Sequence, residues 1–88
     1  MSTFTRGLRV DQSLDVRAVA DPSAYHDAVA RLNGMAENAV LELYIADASL
    51  RTIPFGLRAE GHEILVSEPA ESGVRLLVRK RSLLPPGE

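Results

Sequence analysis

The sequence has no cysteine and no tryptophan. The first absence excludes disulfide staples, cysteine-built zinc sites and every mechanism that runs through a thiolate or persulfide. Without staples, a short chain is held together by packing alone, which favours a regular two-layer fold over a loop-rich secreted one. Aromatics are scarce: Phe4, Tyr25, Tyr44 and Phe55. No apolar run approaches the roughly 20 residues that span a bilayer. Residues 1–9 lack the apolar stretch of a secretory signal, so the sequence predicts a cytoplasmic protein that does not enter a membrane. Charge of one sign is also missing. Ten Lys and Arg against 12 Asp and Glu give a net charge of −2, which offers no general argument for nucleic acid or membrane binding.

What is present suits one small domain. The 88 residues leave no room for a second, and a chain of this size buries only about 60% of its unfolded surface. Hydrophobic residues at 45% and charged residues at 25% lie near the globular average and argue against disorder. Residues 1–12 are polar and aperiodic and read as a tail or an added edge strand. Residues 13–81 carry the periodic signals of the domain. Residues 82–88, rich in proline, read as a second tail.

Within the domain, Leu14 and Val16 alternate, which predicts a short strand over 13–17. Asp21 is a good N-cap residue and Pro22 suits the first helical position. Tyr25, Ala28, Val29 and Leu32 then recur at i, i+3, i+4 and i+7 and form one apolar stripe, with Asn33-Gly34 as the stop. Residues 40–46 form a nearly continuous apolar run, expected of a central strand covered on at least one face, with Tyr44, like Tyr25, in a core stripe. A second helix is predicted between 49 and 60, with Leu50, Ile53 and Leu57 facing inward. Pro54 must lie in its first turn, and Gly61 ends it. Two strands, 64–67 and 74–80, are joined by a loop over 68–73. The order is β-α-β-α-β-β. It predicts an α+β two-layer sandwich with both helices on one face of a four-stranded mixed sheet.

The run Leu14-Asp15-Val16-Arg17-Ala18-Val19-Ala20-Asp21-Pro22 resembles the opening of the TusA/SirA/YedF sulfur-carrier family, Leu-Asp-x-Arg-Gly-x-x-Cys-Pro-x-Pro, without a gap. Met35, Leu41, Ile53-Pro54, Gly61-His62-Glu63 and Val78-Arg79-Lys80 follow in order where that family has its landmarks. The resemblance spans residues 14–80. Ala18 stands for the family's glycine, Ala24 for its second proline and Asn38 for the glycine before the second strand. The change at Asn38 is mild, because Asn tolerates a left-handed backbone. The resemblance implies a persulfide-carrying cysteine at position 21, where this chain has aspartate. A carboxylate carries no sulfur, so the family's sulfurtransferase activity is excluded.

Helix N-termini favour anions through free N–H groups and the helix dipole, which is why a thiolate suits that place. An aspartate there has three readings: a structural cap, a charge mimic of the thiolate that still docks relay partners, or a catalytic acid or base. The docking reading implies a protein partner, such as a sulfurtransferase, at Arg17, Ala20, Asp21, Pro22, Ser23 and Tyr25. A second hypothesis is an RNA-binding module using Arg75, Arg79, Lys80 and Arg81, of which Arg75, Arg79 and Arg81 share strand parity. The fold is also similar to the RNA-binding C-terminal domain of a bacterial translation initiation factor, which is analogy at the level of fold only. A third hypothesis is an enzyme using Asp21, with His26 as a candidate companion. His62, without a second His or any Cys nearby, reads as structural. No cofactor or metal is predicted, since no Gly-rich phosphate loop, nucleophile elbow, His-Glu-x-x-His or EF-hand pattern occurs.

Overall fold

The computed structural model describes residues 9–81. It is an α+β two-layer sandwich built in the expected order. Strand β1 (Gln12–Asp15) leads to helix α1 (Ser23–Asn33) and strand β2 (Val40–Ile45). A short 3-10 turn (Asp47–Ser49) precedes helix α2 (Ile53–Ala59), and strands β3 (Glu63–Ala70) and β4 (Gly73–Arg79) close the domain. The sheet order is β1-β2-β4-β3, with β1 parallel to β2 and the other two pairings antiparallel. The parallel pair is joined by the α1 crossover, as a parallel connection requires.

The register places two different surfaces back to back. Gln12, Leu41, Val78 and Ile64 form one cross-strand row, and Leu14, Leu43, Leu76 and Ser67 form the next. Onto these pack Ala24, Ala28 and Leu32 of α1 and Ile53 and Leu57 of α2, all fully buried. The other face carries the rows Ser13–Glu42–Leu77–Val66 and Asp15–Tyr44–Arg75–Glu68. The helices approach closely at Gly56, where a Cβ would sit 2.5 Å from Tyr25 Cε1. Gly73 is tighter still: a Cβ there would meet the Ile45 carbonyl oxygen at 2.1 Å, so the β3–β4 turn can lie against the end of β2 only with glycine at that position.

Several expectations hold residue by residue. Pro54 lies in the first turn of α2, and Asn38 has φ 68, the left-handed backbone anticipated for it. Others need correction. Strand pairing begins before residue 13: Gln12 pairs with Leu41, and the Asp11 N–H donates to Val40 O at 2.9 Å. Leu50 does not join the inward stripe. The 3-10 turn shifts the helical phase, leaving Leu50 43% exposed. Strand β3 runs to Ala70, so the loop is Glu71-Ser72 alone, with Ser72 at φ 59. Pro69 fits because β3 is an edge strand with a free side for the missing N–H. Tyr44 belongs to the face away from the helices. The expected tails lie largely outside the described residues, at 1–8 and 82–88.

Candidate functional site

Helix α1 begins at Ser23, with Pro22 as its N-cap residue and no side-chain capping bond. Asp21 therefore does not cap the helix, which corrects the first of the three readings. Its Oδ2 instead accepts hydrogen bonds from Ser49 Oγ at 3.0 Å and Thr52 Oγ1 at 2.9 Å. The first turn is satisfied from the backbone: the Ala24 N–H donates to Ala20 O at 3.0 Å and the His26 N–H to Pro22 O at 3.0 Å.

Ser49 is 4% exposed and hence fixed, whereas Asp21 and Thr52 are exposed. Thr52 Oγ1 also lies 3.2 Å from Ser49 O, but the shorter contact is the charge-assisted one. Two such bonds, each of about 1 kcal/mol at an exposed site, tie the β1–α1 connection to the approach of α2. Asp21 is exposed, and among the described residues no donor reaches its Oδ1. Ser49 and Thr52 are the site residues that sequence reasoning missed. Two hydroxyls three residues apart just ahead of Ile53-Pro54 were the available signal.

The remaining proposed docking residues divide. Ala20, Pro22 and Ser23 are exposed beside Asp21. Tyr25 is half-buried on Gly56, its hydroxyl donating to Gly56 O at 3.3 Å and standing 3.5 Å from Glu60 Oε2. Burial, then the Glu60 charge, raises the Tyr25 phenol above its ordinary value. Arg17 turns away. Its Nε and Nη2 donate to Asp15 at 3.0 and 2.6 Å, another of its nitrogens donates to Glu71 O, and its guanidinium stacks 5.0 Å from the Tyr44 ring. Those side-chain bonds, joined by the Arg17 backbone N–H, hold the Asp15 carboxyl at about 2. The Asp-x-Arg pattern thus fastens the β1–α1 connection to the β3–β4 turn.

The C-terminal cations are not brought together. Arg75 and Arg79 share the face away from the helices, but Arg75 bridges Glu42 at 2.7 Å and Glu68 at 2.8 Å, and Arg79 pairs with Glu63. Burial works against the Glu42 carboxylate, yet hydrogen bonds from Arg75 and Ser13 keep its carboxyl below the ordinary value. Lys80 is buried: its Nζ donates to Met35 O at 2.8 Å and Asn33 O at 3.3 Å, at the C-terminal end of α1 where a cation is favoured. Arg81 donates through Nη1 to Glu60 O at 2.9 Å.

His62 is 5% exposed and its Nδ1 accepts the Arg81 N–H at 3.1 Å. Burial first, then the Arg81 and Lys80 charges, lowers its pKa, with Glu60 opposing. His26 is exposed, 6.0 Å from the Tyr25 ring.

A scan against protein-family models finds no match, and neither does a search of curated proteins. Among the described residues, no helix is long and apolar enough to cross a membrane.

Proposed function

We propose that this chain is a cysteine-less relative of the TusA-like sulfur carriers that works as a non-catalytic docking partner through the surface around Asp21. One observation carries the reading. Asp21, at the family's cysteine position, is not used up as a helix cap. Its Oδ2 is held by Ser49 and Thr52, while the residue is exposed and Oδ1 has no donor among the described residues. A carboxylate fixed by a buried hydroxyl loses little side-chain entropy when a partner's donor meets it, which is what a docking anion needs. Its exposure suits a surface contact better than acid–base chemistry in an enclosed site.

The RNA reading draws less support. Phosphate binding requires cations that can leave their present contacts, and each of Arg75, Arg79, Lys80 and Arg81 already serves a carboxylate or carbonyl of the fold.

The test is a pull-down from native lysate with wild type, Asp21→Lys and Asp21→Cys, followed by persulfide labelling. The reading expects the charge reversal to lose the sulfurtransferase that wild type retains, while Asp21→Cys keeps it and acquires a persulfide. Equal capture by Asp21→Lys would end it.

A further inference from the structure

Arginines in this molecule fall into two kinds. Those of β1's exit and of β4 are engaged, as described above. Arg51 and Arg58 are exposed, and among the described residues neither side chain has a hydrogen bond or ion pair. Between them stands Phe55, 73% exposed, ahead of Leu50 at 43% and Val10 at 39%.

Phe55 and Arg58 lie three residues apart on α2 and are neighbours on one side of it. Arg51 sits two residues ahead of the helix, in the turn between Leu50 (φ −61, ψ −28) and Thr52 (φ −100, ψ −50) that leads into it. The opposite side carries Ser49, Ile53 and Leu57, all buried. A single exposed apolar side chain is ordinary on a protein surface. An exposed phenylalanine flanked by two unpartnered guanidiniums is a different thing, because aromatics and Arg are the residue types enriched at the centres of interfaces.

We propose that Arg51, Phe55 and Arg58 form a docking surface for an acidic protein segment that carries an apolar side chain. Phe55 supplies the apolar contact, and the guanidiniums pair with carboxylates on either side of it. Charge complementarity selects this occupant. The two guanidiniums flanking Phe55 are without an ion pair among the described residues and call for carboxylates, while two cations and one aromatic are few for a nucleic acid strand. A twofold pairing of two copies here would set guanidiniums against guanidiniums. This surface goes beyond the Asp21 reading and needs neither the family kinship nor a sulfur relay.

The experiment follows the backbone amides of the isotope-labelled full chain by NMR at low salt. Separate arms add a short synthetic peptide of alternating glutamates and leucines, its lysine–leucine counterpart, and oligouridylate. The expected result is shifts confined to the amides around Arg51, Phe55 and Arg58 with the glutamate peptide alone. Binding weakens about tenfold or more in Phe55→Ser and in the double variant Arg51→Glu/Arg58→Glu, and the double variant takes up the lysine peptide instead. Unchanged shifts at buried core positions such as Leu43 and Leu76 verify that the variants are folded. Four outcomes overturn the proposal: no shifts at this face, an equal response to the lysine peptide, the same amides moving with oligouridylate, or concentration-dependent shifts there without any peptide. Asp21→Lys is expected to bind the glutamate peptide at least as well as wild type. A loss in that variant overturns the claim that this face acts independently of Asp21, whereas the pull-down above can fail without touching it.

Discussion

The two faces of the sheet are stabilised by different physics. Beneath the helices, Leu41, Leu43, Leu76 and Val78 are fully buried and belong to the apolar core cluster. On the other face no helix among the described residues covers the strands, and long polar side chains lie there instead. Ser13 and Tyr44 donate to Glu42 at 3.0 and 3.3 Å, Arg75 ties Glu42 to Glu68, and Arg17 lies over Tyr44. Leu77, in this polar face, is as buried as any residue of the helix-covered core. The methylene stems and planar guanidiniums of arginines can shield an apolar neighbour while keeping their charges hydrated or paired. A second sheet face can thus be protected without a helix over it among the described residues.

The sharpest way to break the comparison is to remove equal volumes of contact from each side. Leu43→Ala opens a cavity under both helices and is expected to cost about 2–5 kcal/mol, read as a drop in the denaturant midpoint with unchanged slope. Leu77→Ala tests the opposite face. A loss as large as that of Leu43→Ala would mean the polar cover packs as well as the helices, whereas the expected loss is nearer the lower end, because arginine and glutamate side chains can settle into the space.

An intermediate effect is expected within the polar cover itself. Arg75 is 12% exposed at its side chain and serves two glutamates on flanking strands, while Arg79, at 45%, serves Glu63 alone. Arg75→Met leaves two partly buried carboxylates without their cation and is expected to cost about 1–3 kcal/mol. Arg79→Met removes a surface pair of about 0–1 kcal/mol. Urea melts of the two variants side by side decide it, and equal losses would show that the Glu42–Arg75–Glu68 bridge adds nothing beyond an exposed ion pair.

The helix-covered side was the legible one. Its stripes recur at 3.6 or 2 residues and point to a single core, so Ala28, Leu32, Ile53 and Leu57 could be placed before any coordinates. The left-handed Asn38 and the first-turn Pro54 were legible too, since each residue type restricts its own backbone. What failed was whatever depends on residues far apart in the chain. Asp21 reads as a cap because caps are local, but its partners Ser49 and Thr52 lie 28 and 31 positions away. Tyr44 reads as core because 40–46 is so apolar. Strict parity would have grouped it with Glu42, but a nearly continuous apolar run does not reveal its two faces. Glu68-Pro69 reads as a loop because a proline inside a strand is tolerated only at an edge, and edge status is a property of the sheet. Lys80 and Arg79 read as one basic cluster, although successive strand residues point to opposite sides.

The smallest effect expected separates the two sides by pH. His62 lies on the helix side, and its pKa is lowered from the ordinary 6.5, so the folded protein holds it neutral where the unfolded chain binds a proton. Its contribution is therefore complete above about pH 6.5 and is lost as pH falls from there through the depressed folded value. Asp15 lies on the polar side, lowered from 3.8 to about 2, so its contribution is complete above about pH 3.8 and is lost between there and pH 2. Denaturant midpoints measured across pH for wild type, His62→Gln and Asp15→Asn isolate each window by difference. Glutamine can still accept the Arg81 N–H, so His62→Gln is expected to flatten the fall below pH 6.5 without lowering stability near neutrality by more than a hydrogen bond's worth, about 1 kcal/mol. Asp15→Asn is expected to leave that first fall intact and to remove only the acid one. If both variants flatten the same window, the two faces are titrating as one network and the division between them does not hold.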